Sequence, residues 1–297
     1  MATPLLALQE PPARSARGVQ ARTRLFDLPV ALVEDVRAQG ALSDSNGEAF
    51  SAQFQVAFPY RGLFIWHVGG DEVVGDANQA LFVTGGEGYR MSYPVEGGYA
   101  ELIVTPADCI IAELSQAVGA LGAHALFRQR SRRLNPSLQS HRARFLAWAL
   151  ADPGHDALAA EEHVLALLRT ALDDDAPRHR PSPSTQKLLV RTKAYLEAEL
   201  GQPIRLTDIG SAVGASPVYL TQVFRAVEGV PLHRYLTQLR LARALVELPH
   251  ANDLTQLALE LGFSSHSHFT ARFHRAFGAT PSQFREQSRH CPRPPSM

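Results

Sequence analysis

Two cysteines, Cys109 and Cys291, are too few and too far apart to staple a chain of 297 residues. One bridge between them is conceivable, but the simpler reading is two free thiols in a reducing, cytoplasmic setting. No run approaches 18 consecutive apolar residues, which excludes a membrane-spanning helix. The opening MATPLLALQEPPARSARG has one short apolar patch, Leu5 to Leu8, with no basic residue ahead of it and prolines directly after. It is a poor secretion signal and reads as a flexible arm over residues 1–20. There is no GxxxxGK[ST] phosphate loop, GxSxG elbow or CxxC pair. Net charge is also lacking, with 29 basic residues against 29 acidic ones. What the chain does have is apolar mass. At 45% hydrophobic and 20% charged it is neither disordered nor collagen-like, and its length suggests two domains.

The zero charge is an average over two unlike parts. Residues 1–180 carry 16 Arg+Lys against 21 Asp+Glu, a balance of −5, and residues 181–297 carry 13 against 8, a balance of +5. A basic module joined to an acidic one suggests that only the former meets a polyanion.

Four zones follow the arm's pattern of punctuation. Residues 21–105 hold short apolar runs, such as Phe54–Phe58, Leu63–Val68, Ala80–Thr84 and Ala100–Val104, broken by Gly69-Gly70, Gly85-Gly86 and Gly97-Gly98. These read as strands and turns of a sandwich or barrel. Over 106–175 the period becomes helical, with Ile111, Leu114, Val118 and Leu121 on one face, a helix start at Asn135-Pro136, and a third stripe through Val164, Leu165, Leu168 and Leu172. These helices should pack on the strands and on a second subunit. Residues 176–184, rich in proline and charge, form a linker, and 185–297 read as helices.

Within that last zone a segment repeats. Leu206, Thr207, Ile209, Val213, Gly214 and Ser216 meet Leu254, Thr255, Leu257, Leu261, Gly262 and Ser264 at an offset of 48. One extra residue then enters, and Phe224, Gly229 and Tyr235 meet Phe273, Gly278 and Phe284 at an offset of 49. Each copy, 206–226 and 254–276, reads as helix, tight turn, helix. Leu206, Ile209 and Val213 share a face, Gly214 can take positive φ, Ser216 caps the next helix and Pro217 opens it. Leu220, Val223 and Phe224 then point inward, leaving Val218, Thr221, Gln222 and Arg225 outside. In the second copy Gly262 turns, Ser264 or Ser265 caps, Phe269 and Phe273 go inward, and His266, Ser267, Thr270 and Ala271 go outward. One helix–Gly–helix unit is weak evidence; two, joined by a helix with Leu232, Tyr235, Leu236, Leu239 and Val246 as its apolar stripe, suit two major-groove contacts about one DNA turn apart.

On Gly214-Ala-Ser216-Pro-Val-Tyr219-Leu220 with Phe224, and on Gly262-Phe263 with Phe269, Phe273 and Gly278-Ala-Thr-Pro281-Ser-Gln-Phe284, residues 185–287 resemble the AraC/XylS family of bacterial transcription regulators. The resemblance implies binding to double-stranded promoter DNA, with Val218, Thr221, Gln222, His266, Ser267, Thr270 and Ala271 facing bases. Ser216, Arg225, Ser265, Arg272 and His274 are the phosphate candidates. RNA polymerase is a further partner if the protein activates, and a homodimer is the implied assembly. Members often carry arginine where this chain has Gln222 and Ala271; Gln222 can still read adenine, whereas Ala271 offers only a methyl contact. Gly210 stands where the second copy has Ala258, either for close packing or merely tolerated at about 1 kcal/mol.

The N-terminal part resembles, more loosely, the cupin-like sensory domain of such regulators, most of all in Phe58–Gly70 and Gly85–Pro94. The implied fold class is α+β: an N-terminal cupin-like β-barrel with packed helices and a C-terminal all-α tandem helix-turn-helix domain. A barrel mouth lined with Trp66, His67, Tyr89, Arg90 and Tyr93 would hold a small-molecule effector; the competing reading places Trp66 and the tyrosines in the core and Arg90 on the surface. No metal or other cofactor is expected. His67 is the one histidine of the barrel region, and the spacing of His266 and His268 does not put both on one helical face. Glu161-Glu162-His163 reads as a solvated helix face, and Arg128, Arg130, Arg132 and Arg133 as a solvated loop. An enzyme is not expected. The alternatives are a cupin-type enzyme with a structural helical tail, and a regulator without ligand controlled by abundance or a protein partner.

Overall fold

The computed structural model describes residues 18–40, 49–117, 127, 129–151, 156–172 and 181–289. Cys291, Arg128, Val118, Leu121 and most of the expected arm and linker lie outside these residues. Among the described residues the chain is a mixed helix and sheet protein. Two antiparallel sheets come first. The strands are β1 (Gly18–Asp27), β2 (Ala31–Gly40), β3 (Ala49–Phe50), β4 (Gln55–Arg61), β5 (Phe64–Val68), β6 (Asp71–Gly75), β7 (Gln79–Val83), β8 (Gly88–Ser92), β9 (Tyr99–Pro106) and β10 (Ser131–Arg133). One sheet has the order β1-β2-β9-β4-β7-β10 and the other β3-β8-β5-β6.

β9 shows why the sheets sit as they do. All eight of its residues are buried, as expected of a strand covered on both faces. With a period of two, Ala100, Leu102 and Val104 join a core that also holds Phe58, Phe82, Phe145, Leu146 and Leu168. Tyr99 and Ile103 face the other way, into a core with Phe64, Trp66, Val73 and Met91 of the smaller sheet. The three helices α1 (Asp108–Ala117), α2 (Pro136–Ala151) and α3 (Ala157–Leu172) therefore cover one face of the larger sheet, and the smaller sheet covers the other. The helix start at Asn135-Pro136 is realised: the Asn135 Oδ1 accepts from the Leu138 amide at 2.8 Å.

The helical part follows with α4 (Pro183–Ala198), α5 (Leu206–Val213), α6 (Pro217–Glu228), α7 (Leu232–Glu247), a 3-10 turn (Leu248–His250), α8 (Leu254–Glu260), α9 (His266–Phe277) and α10 (Pro281–Arg289). They share a core through Ile209, Val213, Leu220, Phe224, Leu239, Phe269, Phe273 and Phe284.

Several sequence readings shift. β1 begins at Gly18, inside the expected arm, and α4 begins at Pro183, inside the expected linker. β1 and β2 carry too many charged residues to stand out as apolar runs. The arginine run is no solvated loop. Arg130 grips Glu87 at 2.6 and 2.7 Å, Arg132 donates to the Leu172 carbonyl at 2.6 Å, and residues 131–133 pair with β7. Nor is His163 on a solvated face: it is buried, with its Nδ1 2.9 Å from the His141 Nε2, beside Phe145 and Trp148. The stripe through Val164 and Leu168 already turns position 163 inward, because the neighbouring helices bury more than one narrow row.

Desolvation, then His163 and Arg144, hold the His141 imidazole down at about 4, below its ordinary 6.5. The folded protein thus binds fewer protons than the unfolded chain between these values, and stability present above pH 6.5 is lost as pH falls toward 4. Melting temperature should drop over that interval, with a smaller slope in His141→Gln; equal slopes in the two proteins would rule the pair out as a source of acid sensitivity.

Candidate nucleic-acid interface

The two repeats fold as two helix-turn-helix units, α5–α6 and α8–α9. In the first, Gly214 closes α5 with φ 71°, a left-handed position that side chains with a Cβ disfavour. The Ser216 hydroxyl then accepts from the Tyr219 amide at 3.3 Å, and Pro217 opens α6. In the second, Gly262 takes φ 77°, and it is Ser265 that caps α9, accepting from the His268 amide at 3.1 Å. Ser264 instead bonds the His268 Nδ1 at 3.1 Å. Both capping hydroxyls keep a proton to donate.

The helix after each turn is amphipathic in the required sense. On α6, Leu220 and Phe224 are buried, while Val218 is 68% exposed and Gln222 and Arg225 are exposed; Thr221 is half-buried. On α9, Phe269 and Phe273 are buried, Ser267, Ala271, Arg272 and His274 are exposed, and His266 and Thr270 are half-buried. The Arg272 Nε donates to the His268 Nε2 at 3.2 Å, which aims the guanidinium along the helix. Sequence reasoning passed over Tyr219, 50% exposed beside Val218, and Arg275, exposed three residues after Arg272. Helical spacing alone could have found both. One inward assignment was too strong, since Val223 is half-buried, and Leu206, on the face of Ile209 and Val213, is 37% exposed. A groove of about 410 Å³ explains Leu206, which lines it with Ile209, Thr221, Gln222, Arg225 and Leu232.

The first unit is tied to the sheets by buried polar groups. Glu228 ends α6, and its carboxylate lies 2.8 Å from the Lys193 ammonium of α4 and 3.4 Å from the Gln79 amide of β7. Lys193 also approaches Asp76 at 3.9 Å, and the Tyr235 hydroxyl of α7 donates to the same carboxylate. Arg133 of β10 donates to the Glu228 carbonyl at 3.3 Å. Burial pushes the Asp76 carboxyl up, with Lys193 opposing, and raises the Tyr235 hydroxyl well above its usual range.

The five effector candidates do not line one mouth. β5 and β8 pair antiparallel with Trp66 opposite Met91 and His67 opposite Arg90, so the strand period divides the set. Trp66 is buried in the core between the sheets, with Tyr89 and Tyr93 packed against that core. His67 bonds Ser92 at 2.7 Å, and with Tyr89 and Arg90 it borders a recess of about 310 Å³. Among the described residues no three His, Cys, Asp or Glu side chains gather as a metal set.

Two such units on one helical body define a tandem helix-turn-helix protein. A family described as helix-turn-helix domain matches residues 209–287. Over 105 residues the chain is 32% identical to regulatory protein SoxS of Escherichia coli K12, covering 35% of this chain and 98% of that one. It is 34% identical over 122 residues to the HTH-type transcriptional activator RhaR of Klebsiella pneumoniae, covering 41% of this chain and 42% of that one. A solved transcriptional regulator with an AraC-type DNA-binding domain, from Chromobacterium violaceum, is 30% identical, covering 37% of this chain and 98% of that chain at a TM-score of 0.34. The chain spans about two fifths of the length of RhaR and of regulatory protein PocR of Salmonella typhimurium. The chain belongs to the AraC/XylS family of regulators.

The tight first turn decides the role of Gly210. A Cβ there would lie 2.7 Å from the Ala215 carbonyl oxygen, a backbone atom. The turn of the second unit is longer, and Ala258 stands at the matching position there. Gly210→Ala should therefore destabilise, by about 1–3 kcal/mol from overpacking, in a denaturant melt. A gain of about 1 kcal/mol, the helix-propensity effect alone, would show that the glycine is merely tolerated.

Proposed function

We propose that the protein is a sequence-specific transcription regulator that binds double-stranded promoter DNA through α6 and α9, and that it is not an enzyme. The observation that carries this reading is the pair of capped helices, each turned outward by a left-handed glycine and each exposing short polar and basic side chains. Val218, Thr221, Gln222, His266, Ser267, Thr270 and Ala271 read bases. Ser216, Arg225, Ser265, Arg272 and His274 hold phosphates, with Tyr219 and Arg275 beside them. The five-charge basic excess of residues 181–297 supplies the long-range attraction.

In this reading residues 21–105 form a cupin-like sensory domain with 106–175 packed on it, 176–184 link it to the DNA-binding domain of 185–297, and the protein works in the cytoplasm as a homodimer, meeting RNA polymerase where it activates. Two antiparallel sheets sharing one core support the cupin-like assignment. A small-molecule effector acts at the N-terminal domain; of the five candidates, His67, Tyr89 and Arg90 border a recess there.

Fluorescence titration of the full chain against a selected genomic duplex and random duplex tests the central claim. Thr221→Ala/Gln222→Ala should lower the preference for the selected duplex by about tenfold or more, at 1–3 kcal/mol per base contact, and leave random-duplex affinity nearly unchanged. Arg272→Ala should weaken both and flatten the salt dependence by about one unit. Equal loss on all duplexes in the double variant would contradict base reading.

A further inference from the structure

We infer that Arg240 is the residue that sets the spacing between the two reading helices, and thus the half-site separation the protein accepts. The inference rests on the DNA-reading function proposed above. Arg240 lies in the middle of α7, the helix that joins the units. Its planar guanidinium donates in three directions: Nε to the Leu200 carbonyl at 2.8 Å, Nη2 to the Gln202 carbonyl at 2.7 Å and Nη1 to the Gly262 carbonyl at 2.7 Å. Leu200 and Gln202 belong to the loop between α4 and α5, which leads into the first unit. Gly262 is the turn of the second. One side chain therefore clamps the entry of one unit to the turn of the other.

The clamp is built of fixed parts. Arg240 is half-buried and has no acidic partner among the described residues, so the three carbonyls balance its charge. The Leu200 carbonyl lies just past the C-terminal end of α4, where a cation is favoured. A planar fork of donors loses less freedom on forming these bonds than a lysine would, and lysine could not reach all three. Independent geometry marks the same seam. A Cβ at Gly201 would stand 2.4 Å from the Glu260 carbonyl oxygen, so the lead-in loop touches the end of α8 backbone to backbone. A Cβ at Gly262 would fall 2.6 Å from the Arg240 guanidinium, at a φ that already favours glycine. With this seam closed, α6 and α9 cannot shift relative to one another by bending α7 alone. Each base pair inserted between half-sites moves the second by about 3.4 Å and turns it by about 35°, which a rigid pair cannot follow.

The test uses the full chain and a duplex selected in vitro by the wild-type protein, with one, two and three base pairs inserted between the half-sites. Wild type should lose at least thirtyfold in affinity on a two-pair insertion. Arg240→Met should lose less than fivefold on the same insertion, while binding an isolated half-site as wild type does. Arg240→Lys, which keeps the charge and the stem, should fall between, and it carries the test if the methionine variant fails to fold. Insertion penalties equal to wild type in the folded variants overturn the clamp and leave DNA reading intact. Failure of wild type to select any duplex overturns both.

Discussion

Within three residues in the first unit and five in the second, the chain must leave one helix and enter the next at a steep angle, and a left-handed backbone position makes the reversal. Gly214 takes that position in the first unit and Gly262 in the second. Everything proposed for the protein follows from this reversal. It places Ser216 and Ser265 where their hydroxyls cap the next helix, and it turns Phe224 and Phe273 into the core. The opposite faces of α6 and α9 are then left to solvent. The buried phenylalanines fix the roll of α6 and α9, while the glycines fix their direction.

A second constraint joins the halves of the molecule. Glu228 is an unfavourable residue for the end of a helix, since the negative end of the helix dipole opposes it by about 0.3–1 kcal/mol. Lys193, 5% exposed, offsets that cost and is itself held between Glu228 and Asp76. Removing one member of such a buried set leaves a charge without a partner, at a cost of about 3–5 kcal/mol. Separating the two sides, in contrast, returns every group to water. The polar groups of the seam between the sheets and the first unit are costly to lose one at a time. Apolar contact is also present, since Val190 of α4 packs with Ile65 and Val74 of the smaller sheet and with Leu63 of the β4–β5 turn.

The tandem units were legible because their signals are local. Gly214, Ser216 and Pro217 state turn, cap and helix start in the first unit, and the offset of 48 then 49 states repetition. The three helices on the larger sheet were legible from periodicity for the same reason. The inter-domain seam was not. Asp76 and Gln79, Lys193, and Glu228 and Tyr235 come from three stretches far apart in the chain, and each is unremarkable in its own window. The arginines of residues 130–133 read as a solvated run because charge usually marks surface, whereas a strand pairing with β7 and carbonyls at the end of α3 enclose them. The effector candidates failed as a group for a simpler reason. Neighbouring residues on a strand face opposite ways, so Trp66 and His67 could not both line one mouth. Gly210 was ambiguous in the sequence because its role depends on the Ala215 carbonyl five residues on, which only the folded turn brings near.

Hydroxyl-radical footprinting of the full chain on a duplex it selects, combined with methylation protection of guanine N7, tests the central claim most directly. Two major-groove stretches on one face of the duplex, centred about 10 base pairs apart, are the result the paired units predict. A single protected stretch, or two on opposite faces, would contradict the account.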